Sequence, residues 1–255
     1  MKRTKAFRSR YALSFGTGLA ILFFAFVFVS CGLETYVFLN PVEIVSVSGV
    51  TNAIITLPSG QDPLFRNYMI YYRIYLSDLQ LGTLNTATDR NNVNTQLASH
   101  YATLERYTSN DNISPTAIDT VLKNLGYYTL FVTADGINGK PLHEVLNAVS
   151  GTIWLDFTDG KNPYMQFPYG VLYDLFRSNS FEPRPNRLFS YTDELAGSII
   201  SAEVNADMQN KTGAGLTQYA YVSMYILATG TDNNYAPLYS RPAHIGIFQL
   251  PRLAP

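Results

Sequence analysis

Two stretches constrain the fold more than any other part of the chain. "FRNYMIYYRIYLSD" (65–78) sets Tyr68, Ile70, Tyr72, Ile74 and Leu76 on one side of an extended backbone and Met69, Tyr71, Arg73 and Tyr75 on the other. "TQYAYVSMYILATG" (217–230) repeats the pattern, with Ala220, Val222, Met224, Ile226 and Ala228 opposed to Tyr219, Tyr221, Ser223, Tyr225 and Leu227. Successive side chains of a strand point to opposite faces, so this alternation of aromatic and β-branched residues predicts two long strands with at least one buried face. The Tyr-rich face has two readings. It is covered by another layer, or Tyr71, Tyr75, Tyr219, Tyr221 and Tyr225 form an interaction patch of apolar rings with polar tips.

Shorter runs fill out a β-rich body. "EIVSVSGV" (43–50) and "NAIITLPSG" (52–60) are β-branched runs parted by Gly49 and a polar pair. In "GTIWLDFTDGKNPYMQF" (151–167), Ile153, Leu155 and Phe157 share a face, and Asp159-Gly160 is a hairpin signal. Pro163 confines the returning strand to an edge or a bulge, because proline cannot donate to a central ladder. After the loop "TGTDNNYAP", the segment "LYSRPAHIGIFQL" (238–250) is placed to pair back on 217–230.

Two helices interrupt the strands. Val93, Leu97, Tyr101 and Leu104 form an apolar stripe between Asp89 and Tyr107. In "SPTAIDTVLKNLG", Ser114 fits the N-cap and Pro115 the first turn, Ile118, Val121, Leu122 and Leu125 face inward, and Gly126 fits the C-cap.

The pair "YMIYYRIY" and "YAYVSMYILATG" resembles the C and F strands of fibronectin type III domains. That resemblance implies a mainly β fold: an immunoglobulin- or fibronectin-III-like β-sandwich elaborated by an α-helical insertion at about 80–126. The strand "NAIITLPS" lacks the Trp the family carries there, and Trp154 lies elsewhere. Length also exceeds one such module of ~100 residues.

The start of the chain is of another kind. Lys2, Arg3, Lys5, Arg8 and Arg10 precede a run without charge from Tyr11 to Ser30, the pattern of a secretory leader. Cys31, the sole cysteine, follows Phe28-Val29-Ser30 and precedes Gly32. This junction resembles the relaxed lipobox of spirochaete-type bacterial lipoproteins, with Phe28 in place of the usual Leu. The resemblance implies cleavage between Ser30 and Cys31 and a diacylglycerol and N-acyl lipid on Cys31. It also implies a place in the cell envelope, on the inner or outer membrane. The resulting division is a signal peptide over 1–30, a tether over 31–42 and one domain over 43–255.

Loss of residues 1–30 removes five basic and no acidic side chains from 18 and 19, leaving 13 against 19, a net charge near −6. Such a body has no basic stripe for nucleic acid. With no cysteine after Cys31, neither a disulfide nor a thiolate metal site can form in it.

Catalytic patterns are scarce. His100, His143 and His244 each stand alone in sequence, and His143-Glu144 lacks the second histidine of a zinc-protease helix, since Asn147 holds that place. "GAGLTQ" is too short of glycine for a phosphate loop, and "TSNDNIS" and "TDNNYA" miss calcium-loop spacing. The expectation is therefore no catalytic, cofactor or metal residue: a non-catalytic binding, adhesion or scaffolding module held on the membrane by lipid and meeting a protein partner. An envelope hydrolase is the alternative, and it requires two of Asp135, Asp156, Asp174, Glu182 and Glu194 to converge in a pocket. An accessory subunit of a periplasmic assembly complex is a third reading.

Overall fold

The computed structural model describes residues 39–58, 63–109, 117–133, 140–141, 151–158, 161–167, 170, 172–179, 182–188, 208–209 and 219–251. These belong to a single unit, Phe38–Pro255. In chain order the strands are β1 (Glu43–Ser48), β2 (Asn52–Leu57), β3 (Phe65–Ser77), β4 (Tyr128–Thr129), β5 (Phe131–Thr133), β6 (Lys140–Pro141) and β7 (Gly151–Asp156). They continue as β8 (Tyr164–Gln166), β9 (Leu172–Asn179), β10 (Glu182–Leu188), β11 (Met208–Gln209), β12 (Tyr219–Thr231), β13 (Pro237–Tyr239) and β14 (Ala243–Gln249). Between β3 and β4 lie three helices, α1 (Ala87–Val93), α2 (Thr95–Ser109) and α3 (Ile118–Asn124).

The strands form two sheets. The first runs β1-β2-β7-β8-β9-β5-β6, with β10 on β9. The second runs β11-β3-β12-β13, with β14 on β12 and β4 on β3. All pairs are antiparallel except β11 on β3. One core cluster draws Ala53, Ile55, Ile153, Leu155 and Met165 from the first sheet and Tyr68, Ile70, Tyr72, Val222 and Met224 from the second. The fold is thus mainly β, two sheets packed through the faces that the alternation assigns to the interior.

The long hairpin forms as its sequence requires: β12 pairs with β13 and β14, and on its other edge with β3. Leu39 and Val42 are already buried in this core, so folded chain begins by Leu39 and the tether expected over 31–42 ends earlier than its composition suggests. The Asp159-Gly160 turn lies outside the described residues, but β7 and β8 pair on either side of it.

Pro163 does not place β8 at an edge. β8 lies between β7 and β9, and Pro163 precedes its first residue, where no ladder N–H is needed; the Pro163 carbonyl accepts from the Leu175 N–H at 3.0 Å.

The single helix expected from Asp89 to Tyr107 is two. Thr86 and Asp89 cap α1 reciprocally, a capping box. Asn94 then leaves the helical conformation, with φ −165° and ψ 126°. Its side-chain oxygen accepts from the Gln96 and Leu97 N–H groups, and its Nδ2 donates to the Leu76 carbonyl at 3.2 Å. One asparagine ends α1, starts α2 and ties the break to β3. In α3, Ile118 and Leu122 are buried, with Val121 and Leu125 packed beside them; Ser114 and Pro115 lie outside the described residues.

These helices settle the Tyr-rich face. Tyr71 and Tyr225 pack with Leu104, Ile118 and Leu122, while Tyr75 and Tyr221 pack with Val93 and Leu97. Tyr71, Tyr75, Tyr221 and Tyr225 are at most 1% exposed, and Tyr219 is partly buried. The proposed patch at Tyr71, Tyr75, Tyr219, Tyr221 and Tyr225 is therefore a buried layer, because the β3–β4 connection supplies the cover.

Candidate functional site

Strict alternation in β14 would put His244 on the same side as Gly246 and Phe248, facing the core. The register says otherwise: Met224 pairs with Gly246, but the next residue, Tyr225, pairs with His244. Ile245 is the extra residue of a bulge, and a bulge re-aims the side chains beyond it. Ile245 and Phe248 enter the inter-sheet core, while His244 turns to the outer layer beside Tyr225, ring centroids 4.7 Å apart. Gly246 permits the crowding, since a Cβ there would meet the Phe248 ring at 2.7 Å.

His100 and His244, each alone in sequence, share this layer. The His100 Nδ1 lies 2.8 Å from the Tyr75 hydroxyl, which is 3.4 Å from that of Tyr127; Tyr127 donates in turn to the Ser223 hydroxyl at 3.2 Å. Tyr127 stands edge-on to Tyr225 at 5.6 Å, and Tyr101 edge-on to His244 at 5.0 Å. Burial holds Tyr75, Tyr127 and Tyr225 above the ordinary tyrosine value, so they stay protonated. Burial, and then nearby Arg73, lowers His100 to about 4; burial, and then Arg90, lowers His244 to about 3. Both imidazoles are neutral at physiological pH, and the buried Nε2 of His244 has no hydrogen-bond partner among the described residues. His143 lies outside the described residues.

Two arginines frame the layer. Arg73, on β3, donates through Nη1 to the Leu125 carbonyl at the end of α3, at 2.6 Å. Its guanidinium occupies the space a side chain at Gly126 would need, and Gly126 has φ +74°. Arg90, on α1, lies over the Tyr101 ring at 3.8 Å, and its Nη1 donates to the Leu84 and Asn85 carbonyls at 3.3 and 3.0 Å. Arg90, Asn85, Tyr101 and His244 line one wall of a pocket of about 160 Å³ whose remaining surface includes Val47 and Leu84. A cation and a histidine whose buried Nε2 lacks a partner among the described residues thus lie beside one opening. Sequence reading passed over Arg90 and set His244 aside as a lone histidine; the only available signal was Gly246 inside a strand, a mark of a bulge.

The outer face of the first sheet is open. Trp154, Gln166 and Leu172 pair in one row across β7, β8 and β9, with Trp154 55% and Leu172 52% exposed. In the next row Asp156 pairs with Tyr164 and Tyr164 with Asp174. Burial alone would raise the Asp156 carboxyl, but hydrogen bonds from Thr158 and Tyr164, with Lys161 nearby, hold it below the usual carboxylate range. A carboxylate so engaged is fixed in its ionised form. Asp156 and Asp174 sit on this open face with Tyr164 between them, away from the pocket. Asp135 and Glu194 lie outside the described residues, as do Ser30 and Cys31. Of the oxygen-rich loops, "TDNNYA" spends its Asp232 carboxylate on the Asn234 and Ala236 N–H groups. No cluster of three His, Cys, Asp or Glu residues and no helix long and apolar enough to cross a membrane occurs among the described residues. In comparison with known proteins, the chain matches no family model, no curated protein and no solved structure.

Proposed function

We propose that this protein is an envelope lipoprotein, held on a membrane by lipid on Cys31, whose β-rich body is a non-catalytic binding, adhesion or scaffolding module. The observation that carries the binding reading is the row Trp154–Gln166–Leu172 on the first sheet, whose Trp154 and Leu172 are exposed. Half-exposed large apolar side chains beside polar neighbours suit a face that a protein partner covers. The reading moves the contact surface from the tyrosines of β3 and β12 to the opposite side of the fold.

Support for the address lies in the basic leader, the uncharged run after it and the single cysteine at its end. Acylation adds ~0.8 kcal/mol per buried CH₂, so two or three chains hold a protein on a bilayer without a spanning helix. The strand order also supports an immunoglobulin- or fibronectin-III-like body. β1, β2 and β7 lie side by side as A, B and E do in such domains, and β3, β12 and β14 as C, F and G do. It departs from them beyond β7, where β8 follows in sequence at the place of a strand that precedes E.

Metabolic labelling with palmitate tests the anchor. The wild-type chain is expected to take up label and Cys31→Ser to lose it; label that persists in the variant overturns the lipoprotein reading.

A further inference from the structure

We propose that the pocket bounded by β1, β14, α1 and α2 binds the carboxylate of a small organic acid, gripped by the free edge of the Arg90 guanidinium. The proposal rests neither on the lipid nor on the Trp154 face. A guanidinium has five N–H donors in a planar fork. At Arg90, Nη1 is committed to the Leu84 and Asn85 carbonyls, and one face of the guanidinium plane lies against the Tyr101 ring. Nε–H and the Nη2–H pair have no partner among the described residues, and that edge has the spacing of two carboxylate oxygens. Clamped on one side and stacked beneath, the fork is held ready, so a ligand need not order it.

Charge and size narrow the ligand. Among the described residues, Arg90 is the only charged residue on the pocket wall. Asp89, its neighbour in sequence, turns its carboxylate to the Thr86 N–H, and His244 remains neutral at physiological pH. One positive charge suits one negative charge. Val47, Leu84 and Ile247 supply apolar wall for a short hydrocarbon body, which a phosphate group lacks. At about 160 Å³ the pocket is below the ~300–1,000 Å³ of sites for drug-sized ligands, so the acid has few carbons. Asn85 adds a polar group to the lining.

Calorimetric titration of butyrate into the full chain in a zwitterionic detergent tests the assignment. Saturable one-to-one binding is expected, with a Kd on the order of 1 mM for so small a ligand. Arg90→Gln should weaken it about tenfold or more, and Arg90→Lys should recover only part, since an ammonium has no fork. Val47→Phe provides a variant that keeps Arg90 and its clamp: Val47 is 44% exposed, so the larger ring fills the pocket without disturbing the core. It should abolish butyrate binding while near-ultraviolet circular dichroism stays unchanged. The proposal is overturned if butyrate does not bind, if it binds equally well to folded Arg90→Gln or to Val47→Phe, or if inorganic phosphate binds more tightly.

Discussion

On the second sheet, Tyr71, Tyr75, Tyr221 and Tyr225 lie at most 1% exposed beneath three helices; on the first, Trp154 and Leu172 stand more than half exposed. Both faces carry large aromatic or aliphatic side chains, so residue type does not separate them. What separates them is the connection that supplies a cover. The chain between β3 and β4 folds as α1, α2 and α3 and lies across the second sheet, and the helix stripe of Val93, Leu97 and Leu104 meets the tyrosine stripe of β3 and β12. Aromatic alternation therefore marks a strand, while exposure depends on what the rest of the chain brings to it.

The largest effect should come from the covered face. Tyr225→Ala removes a ring packed against Tyr127 and His244, and should cost about 3–5 kcal/mol in denaturant-induced unfolding. Gly126→Ala comes next. A side chain there meets a positive φ and the Arg73 guanidinium, and an expected loss of about 1–3 kcal/mol should accompany the withdrawal of Arg73 from Leu125.

Acid should then weaken the same layer. His100 and His244 have folded values of about 4 and about 3, against 6.5 for a free imidazole. Well above pH 6.5 they are neutral folded or unfolded, and nothing is lost. As pH falls below 6.5 the unfolded chain binds protons that the folded one does not, so stability drops until the folded values are reached. Allowing for the exposed edges of the rings, a loss on the order of 1 kcal/mol between pH 6.5 and 5 is expected, a window in which carboxylates titrate little. Thermal melts across that range measure it, and His244→Gln should flatten the slope.

The smallest effect belongs to the open face. Trp154→Ala should change stability by no more than about 0.5 kcal/mol. Losses as large as those of Tyr225→Ala would break the contrast between the sheets.

Much of this was legible in sequence. The faces of β3 and β12, the β1–β2 pair and the C-terminal hairpin follow from period-two alternation and turn residues. What escaped depends on single residues whose partners are distant. Asn94 breaks a helix stripe that continues on either side because its amide finds Leu76 across the layer. Pro163 sits in the interior of a sheet because it falls one residue outside the ladder. The bulge at Ile245 reverses the face of His244, which no count of alternating residues detects, and Arg90 becomes notable only once the loop at Leu84 and Asn85 fixes half of its fork.

The pairing of β3 with β12 also sets a timetable. Hydrogen bonds across that layer join residues 140 to 162 positions apart, as between Leu81 and Tyr221 or Asn67 and Thr229. At ~5–20 residues per second of synthesis, the first of the two strands waits roughly 7–30 s for the second. Contacts of such separation are slow to close, and until they do the edge of β3 that pairs with β12 is bare to any neighbour.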